Sequence, residues 1–220
     1  IITFNDKEGL EVFRHSTAHL LAHAVVELFP TAKPTIGPTV EEGFYYDFDI
    51  ERHFTPEDLT KIEESMQEIV KKDYKVERIE LTLSEAKGMF RYNPYKIELI
   101  EEFHQQKLPI SAYKQGNFTD LCRGPHIPNT GKIKAFKLAK VAGAYWRGDQ
   151  KNKQLQRIYG TSFPEKKELD AYLKMLEEAE KRDHKKIGRE LELFMTSELV
   201  GKGLPIWLPK GEIIKKEIEN

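Results

Sequence analysis

The sequence predicts an α+β fold in which a long helix carrying His15 and His19 packs on a mixed or antiparallel sheet, with a long linker helix following. Three observations predict it. An apolar stripe at helical spacing runs through residues 8–29, short alternating segments recur without regular strand–helix–strand units, and a second charged helical stretch begins near Ser162.

In the first helix, residues 8–29, Val12, His15, His19, Leu20 and the run from Ala22 to Val26 form the stripe, and Pro30 ends it. Residues 44–50 alternate aromatic residues with Asp47 and Asp49, the pattern of a half-buried strand. Thr55, Pro56 and Asp58 spell a helix start, a capping hydroxyl, a proline at the first position and a carboxylate three residues after the cap. Leu59, Ile62, Met66, Ile69 and Val70 then share one face. Residues 75–83 alternate as a strand, and Ser84 is expected to cap a short helix ending near Arg91. Three further strands are expected at residues 134–139, 143–147 and 154–159. Leu169, Tyr172, Leu173, Leu176 and Ala179 mark the buried face of a helix over residues 164–187 that carries a charged outer face. Beyond Gly188 the glycines and prolines break up a tail too short to be a domain by itself.

With 220 residues, 39% of them hydrophobic, the chain can bury a core in one or two domains. No apolar run approaches a membrane span and no signal peptide opens the chain, so a cytoplasmic protein is expected. A single cysteine, Cys122, excludes an internal disulfide. The net charge of −1 conceals an uneven distribution. From residue 41 to 68 ten acidic residues stand against Arg52 and Lys61, and from 131 to 157 eight basic residues stand against Asp149 alone. The basic stretch could draw phosphate, although an ordinary solvated surface is the plainer reading.

His15 and His19 lie four residues apart on the predicted helix, so their rings leave one face a turn apart. Cys122 and His126 have the same spacing, but Gly124 and Pro125 between them favour a turn. Two distant segments thus each offer a pair of groups able to bind a metal, move a proton or place a water. Each pair alone is equally consistent with buried core side chains. His23 falls near the same helical face without a matching partner and is read as structural. The histidine pair lacks the glutamate of a metalloprotease helix, having Ser16, Thr17 and Ala18 between its members.

The strings His15-Ser-Thr-Ala-His19, Gly43-Phe-Tyr-Tyr-Asp47, Asp120-Leu-Cys-Arg-Gly-Pro-His126, Ala142-Gly-Ala-Tyr-Trp-Arg-Gly-Asp149 and Leu155-Gln-Arg-Ile-Tyr-Gly-Thr161 resemble, in order, landmarks of the editing region of bacterial-type threonyl-tRNA synthetases. Glu190-Leu-Glu-Leu-Phe194 and the segment 203–211 resemble the entry to that family's class II synthetic module. The resemblance implies an editing domain over residues 1–161, a linker helix over 162–190 and the start of the catalytic domain over 191–220. The implied activity is hydrolysis of serine from mischarged seryl-tRNA(Thr), within a protein that joins threonine to tRNA(Thr). His15, His19, Lys96, Cys122 and His126 are the implied catalytic group, with Tyr46, Asp120 and Arg123 binding substrate. In that reading His15 or His19 and the Lys96 amine position water, Asp120 receives the substrate amine, and Cys122 as a covalent nucleophile stays open. No metal is expected in the pocket, no cofactor for the fragment, and ATP and zinc only in the catalytic domain. The implied partner is tRNA(Thr), with a homodimeric parent and a monomeric fragment. The competing reading is a noncatalytic tRNA-binding module stabilised by zinc on His15, His19, Cys122 and His126.

Overall fold

The computed structural model describes residues 3, 4 and 6–219, and the chain forms two compact units, Ile1–Leu169 and Asp170–Asn220. The first unit opens with helix α1 (Lys7–Leu28), buried on every face from Ser16 to Val25. A helix buried all round needs cover on all sides, and α1 finds it between two antiparallel sheets. The short strands β1 (Lys33–Pro34) and β2 (Thr39–Val40) both pair with β3 (Gly43–Asp49). Phe44, Tyr46 and Phe48 of β3 join Phe13, Leu20, Leu21 and Val25 of α1 in the main core. Helix α2 (Pro56–Lys72) adds Ile62, Met66 and Ile69, each fully buried. Burial of such side chains contributes about 1.5–3 kcal/mol apiece. The predicted start of α2 is present in full, with reciprocal hydrogen bonds between Thr55 and Asp58 and Pro56 in the first turn.

Strand β4 (Val76–Glu80), helix α3 (Leu83–Met89) and helix α4 (Pro94–Gln105) lead to the hairpin of β5 (Ser111–Gln115) and β6 (Phe118–Leu121). This second sheet, in the order β4-β5-β6, covers the opposite side of α1: Gln115 donates to the His19 carbonyl at 3.2 Å and Asn117 meets His23 at 2.8 Å. After a 3-10 turn at Thr130–Lys132, β7 (Ala135–Tyr145) and β8 (Gln154–Phe163) complete the first sheet in the order β1-β3-β8-β7. All the strand pairings are antiparallel.

Four expectations change. Thr82, not Ser84, caps α3, because its hydroxyl and the Glu85 carboxylate close a reciprocal capping pair. Residues 134–147 hold one long strand rather than two, since a register shift between Leu138 and Lys140 absorbs the irregularity. The strand β3 is nearly all buried rather than half-buried. Its two aspartates are matched internally: Arg157 grips Asp47 through two hydrogen bonds of 2.7 and 2.9 Å, and Asp49 accepts from Tyr95 at 3.0 Å and Lys153 at 2.7 Å. The long helix expected over residues 164–187 is bent, α5 (Lys166–Lys181) stopping before α6 (His184–Glu190), whose first turn the Asp183 carboxylate caps.

In the second unit β9 (Phe194–Thr196) pairs with β10 (Pro205–Trp207), and α7 (Pro209–Glu219) follows. Gly188 permits close packing there, as a Cβ at that position would lie 2.1 Å from the Phe194 ring. Among the described residues no helix is long and apolar enough to cross a membrane.

Candidate active site

The two predicted pairs meet although more than a hundred residues separate them. His15 Nε2 lies 3.0 Å and His126 Nε2 3.3 Å from Cys122 Sγ. The ring of His19 stands 4.8 Å from that of His15 and 4.5 Å from that of His126. One donor atom from each of His15, His19, Cys122 and His126 falls within 4.8 Å of every other. Local structure places each group. α1 delivers His15 and His19 from adjacent turns, while Cys122 follows the end of β6, its backbone bonded to Ser111 through the Cys122 N–H at 3.1 Å and the Ser111 hydroxyl at 2.7 Å. Gly124 has φ +70°, and any Cβ there would meet the Tyr113 hydroxyl at 2.0 Å; its absence lets the Tyr113 ring stand 4.3 Å from that of His126.

Beside this cluster lies a buried polar centre. Asp120 Oδ1 receives Lys96 Nζ at 2.6 Å, while Oδ2 receives His19 Nδ1 at 3.3 Å and the Tyr46 hydroxyl. Lys96 Nζ also reaches the Tyr46 oxygen at 3.3 Å. Lys96 and Asp120 are 2% and 1% exposed, so the pair is almost wholly buried. Lys96 sits in the first turn of α4, where the helix dipole disfavours a cation, and the Asp120 carboxylate supplies the compensation. Asp120, expected to take a substrate amine, already has three donors from the protein. Arg123 lies apart from the hydrogen-bonded group: it is exposed, its guanidinium 5.5 Å from the centre of the Phe103 ring. Phe103, Leu99, Ile36, Gly37 and Pro38 wall a cavity of about 300 Å³ onto which His15, His19, Tyr46, Lys96 and Cys122 open.

The imidazoles share one hydrogen-bonding sense. His15 Nδ1 faces the Gly37 carbonyl at 3.3 Å, which can only accept, and His19 Nδ1 faces Asp120. Both rings therefore carry their proton on Nδ1 and offer the Nε2 lone pair. Burial is the first cause that lowers the pKa of all three: moderately at His15, well below the usual value at His19, and far below it at His126, where His19 and His15 add repulsion. Burial likewise pushes the Cys122 thiol up to about 11, against the Gly124 N–H, so it is a thiol at neutral pH. The Tyr46 hydroxyl is raised well above its usual range by burial and by Asp120.

A pH dependence follows. The unfolded chain binds protons near the ordinary histidine value of 6.5, whereas the folded imidazoles stay neutral to lower pH. Folding is then most stable above that value and loses about 1.4 kcal/mol per pH unit for each such histidine as pH falls below it. Urea unfolding at pH 7.5 and about 5.5, followed by the fluorescence of buried Trp146, should show a clear drop in stability at the lower pH. Equal midpoints would contradict the burial of these rings.

Sequence reasoning missed Ser16, Gly37 and Tyr113, which touch the cluster, and His23, read as structural, bonds to Asn117 at 2.8 Å and stacks on Phe118 at 5.2 Å. Half of the basic stretch is matched internally. Lys137 pairs with Glu63, Arg147 with Glu98 and Glu102, Lys153 with Asp49 and Arg157 with Asp47. Lys132, Lys134, Lys140 and Lys151 remain without a carboxylate partner among the described residues.

Residues 110–159, which hold the β5–β6 hairpin, Asp120, Cys122 and His126, match the family described as threonyl and alanyl tRNA synthetase second additional domain. Over its whole length the chain is 57% identical to a threonine–tRNA ligase of Geobacter sp. (strain M21), covering 35% of that protein. It is 56% identical to a threonine–tRNA ligase of Clostridium tetani, and 55% identical to one of Staphylococcus aureus (strain JH9), covering 34% of each. The chain thus spans about a third of the length of these curated relatives.

Proposed function

We propose, from the premise that this chain belongs to the threonyl-tRNA synthetase family, that it is the editing hydrolase of a threonine–tRNA ligase and removes serine from mischarged seryl-tRNA(Thr). The observation that carries this reading is the His19–Asp120 contact at 3.3 Å beside a cavity of about 300 Å³. Asp120 holds the His19 proton on Nδ1, so His19 Nε2 is the lone pair able to take a proton from water as its oxygen attacks the ester carbonyl. The imidazolium formed is stabilised by the same carboxylate. The proton then passes to the departing ribose oxygen, giving free serine and uncharged tRNA. Lys96 has a third N–H beyond those given to Asp120 and Tyr46, and we assign it to the developing oxyanion.

A second site is needed because serine is smaller than threonine by one methyl, a difference that a synthetic pocket reads with only about 1–3 kcal/mol. The editing cavity reverses the test by excluding the larger side chain. The purified chain should hydrolyse seryl-tRNA(Thr) at least about tenfold faster than threonyl-tRNA(Thr). Equal rates on the two esters would reject the sieve, and no hydrolysis of either would reject the hydrolase. Ligation of threonine, with its ATP and zinc, we assign to the whole protein rather than to this third of it.

The reaction is proposed to run without a metal. His15, His19, Cys122 and His126 are an acceptable zinc donor set in chemical type, but tetrahedral zinc would hold sulfur and nitrogen about 3.6 Å apart. The separations here, 3.0 and 3.3 Å, support a sulfur hydrogen-bonded to the rings. Elemental analysis of protein purified without chelator should find well under one zinc per chain. One tightly held zinc whose removal unfolds the protein would favour the noncatalytic zinc-stabilised module instead.

A further inference from the structure

We propose that Ser16, a residue between the two helix histidines, is a positioning residue that fixes the tautomer of His126 and so directs its Nε2 lone pair at Cys122. Ser16 is buried, and its hydroxyl oxygen has three neighbours: the Val12 carbonyl at 2.8 Å, the Ile127 N–H at 3.1 Å and His126 Nδ1 at 3.2 Å. A serine hydroxyl has one proton to give. The Val12 carbonyl can only accept, and 2.8 Å is the usual length for an O–H···O bond, so the proton goes there. The oxygen is left as an acceptor on its other two sides, taking the Ile127 N–H and the proton on His126 Nδ1. Ser16 therefore does for His126 what the Gly37 carbonyl does for His15 and Asp120 does for His19.

The consequence is a set of three Nε2 lone pairs around one thiol. Cys122 Sγ already accepts the Gly124 N–H at 3.2 Å and has a single proton to share between His15 and His126. The cluster, of which His15, His19 and Cys122 line the cavity, thus has a surplus of acceptors, suited to receiving a donor such as a water, a hydroxyl or an ammonium group. If Ser16 instead gave its proton to His126, the ring would turn its Nε2–H toward the sulfur and one acceptor would be lost. The catalytic consequence rests on the hydrolase reading, but the tautomer does not.

The test is long-range proton–nitrogen NMR of the histidine side chains in the full chain, with His126 assigned by the loss of its signals in His126→Gln. The unsubstituted protein should show His126 protonated on Nδ1 with a lone pair on Nε2; protonation on Nε2 overturns the inference without any variant. In Ser16→Ala the Nδ1–H loses its acceptor, and the ring should shift wholly or partly to the Nε2–H form. Seryl-tRNA(Thr) hydrolysis should fall about tenfold in kcat with KM little changed, as for a misaligned acceptor. An unaltered tautomer together with an unaltered rate in Ser16→Ala also overturns it. Absence of hydrolysis in the unsubstituted protein would count against the proposed function and leave the tautomer measurement to judge Ser16.

Discussion

Replacing Asp120 with alanine should abolish deacylation and lower the stability of the first unit by about 3–5 kcal/mol, because the Lys96 ammonium is left buried without a counter-charge. In the folded chain that ammonium has Asp120 at 2.6 Å and the Tyr46 oxygen at 3.3 Å, and a phenol cannot replace a carboxylate. Against a total folding free energy of about 5–15 kcal/mol, the loss would move the urea midpoint far toward zero. Removing both partners together, in D120A/K96M, should recover much of the stability, since an apolar pair asks for no compensation. It should recover none of the hydrolysis, because the double variant has neither the support of His19 nor the cation. Unfolding can be read in the first unit from Trp146, with Trp207 replaced by phenylalanine to silence the second. A D120A midpoint equal to that of the parent would mean that Lys96 finds water and the centre is open, against the exposures observed.

How much of this was legible in the sequence depends on the range over which each feature acts. The helices α1 and α2 were visible because their signals are local, a stripe at helical spacing and a Thr55–Asp58 cap. Helix α4 and the β5–β6 hairpin were not assigned, yet each has a short signature: Asn93-Pro94 caps and starts the helix, and Gly116-Asn117 makes the two-residue turn with φ +61° at the glycine. At β3 the alternating aspartates imitate a solvent-facing edge. Asp47 and Asp49 are buried because Arg157 and Tyr95 arrive from 110 and 46 residues away, which no local pattern shows.

The candidate site divides in the same way. The spacings in His15–His19 and Cys122–His126 showed two pairs, but nothing local showed that they meet. Tyr46, Lys96 and Asp120 follow only from family resemblance, because each is meaningful through partners 24 to 101 residues away. Locally Ser16 marks nothing more than the place where a metalloprotease helix has glutamate. Its role arises from His126, 110 residues distant, arriving at its hydroxyl. Charge clustering says little about partners here, and half of the basic stretch serves internal ion pairs with Glu63, Glu98, Asp49 and Asp47.

The choice between a water and the Cys122 thiol as the attacking group leads to opposite results in two variants. At pH 7 a thiol with a pKa of about 11 is almost wholly protonated, and the two imidazoles that face it are made poor bases by burial. A covalent route would need the sulfur to lose its proton, attack the seryl carbonyl and expel the ribose oxygen, which takes up a proton, leaving a thioester that water then cleaves. The water route asks only for the His19 lone pair, already backed by Asp120. Single-turnover hydrolysis of seryl-tRNA(Thr) should therefore fall by about 100-fold or more in His19→Ala, within the range for loss of a general base, and by about tenfold in His15→Ala. Cys122→Ala, which removes the sulfur but leaves all three Nε2 lone pairs, should stay within about tenfold of the parent. Binding of uncharged tRNA(Thr) should be nearly constant throughout, because phosphate contacts dominate such affinity. Acid quenching during turnover should recover serine either free or on tRNA, never on protein. A Cys122→Ala variant as inactive as His19→Ala, with labelled serine trapped on the unsubstituted protein as an acid-stable, base-labile adduct, would establish the thioester and remove His19 from the role of base toward water.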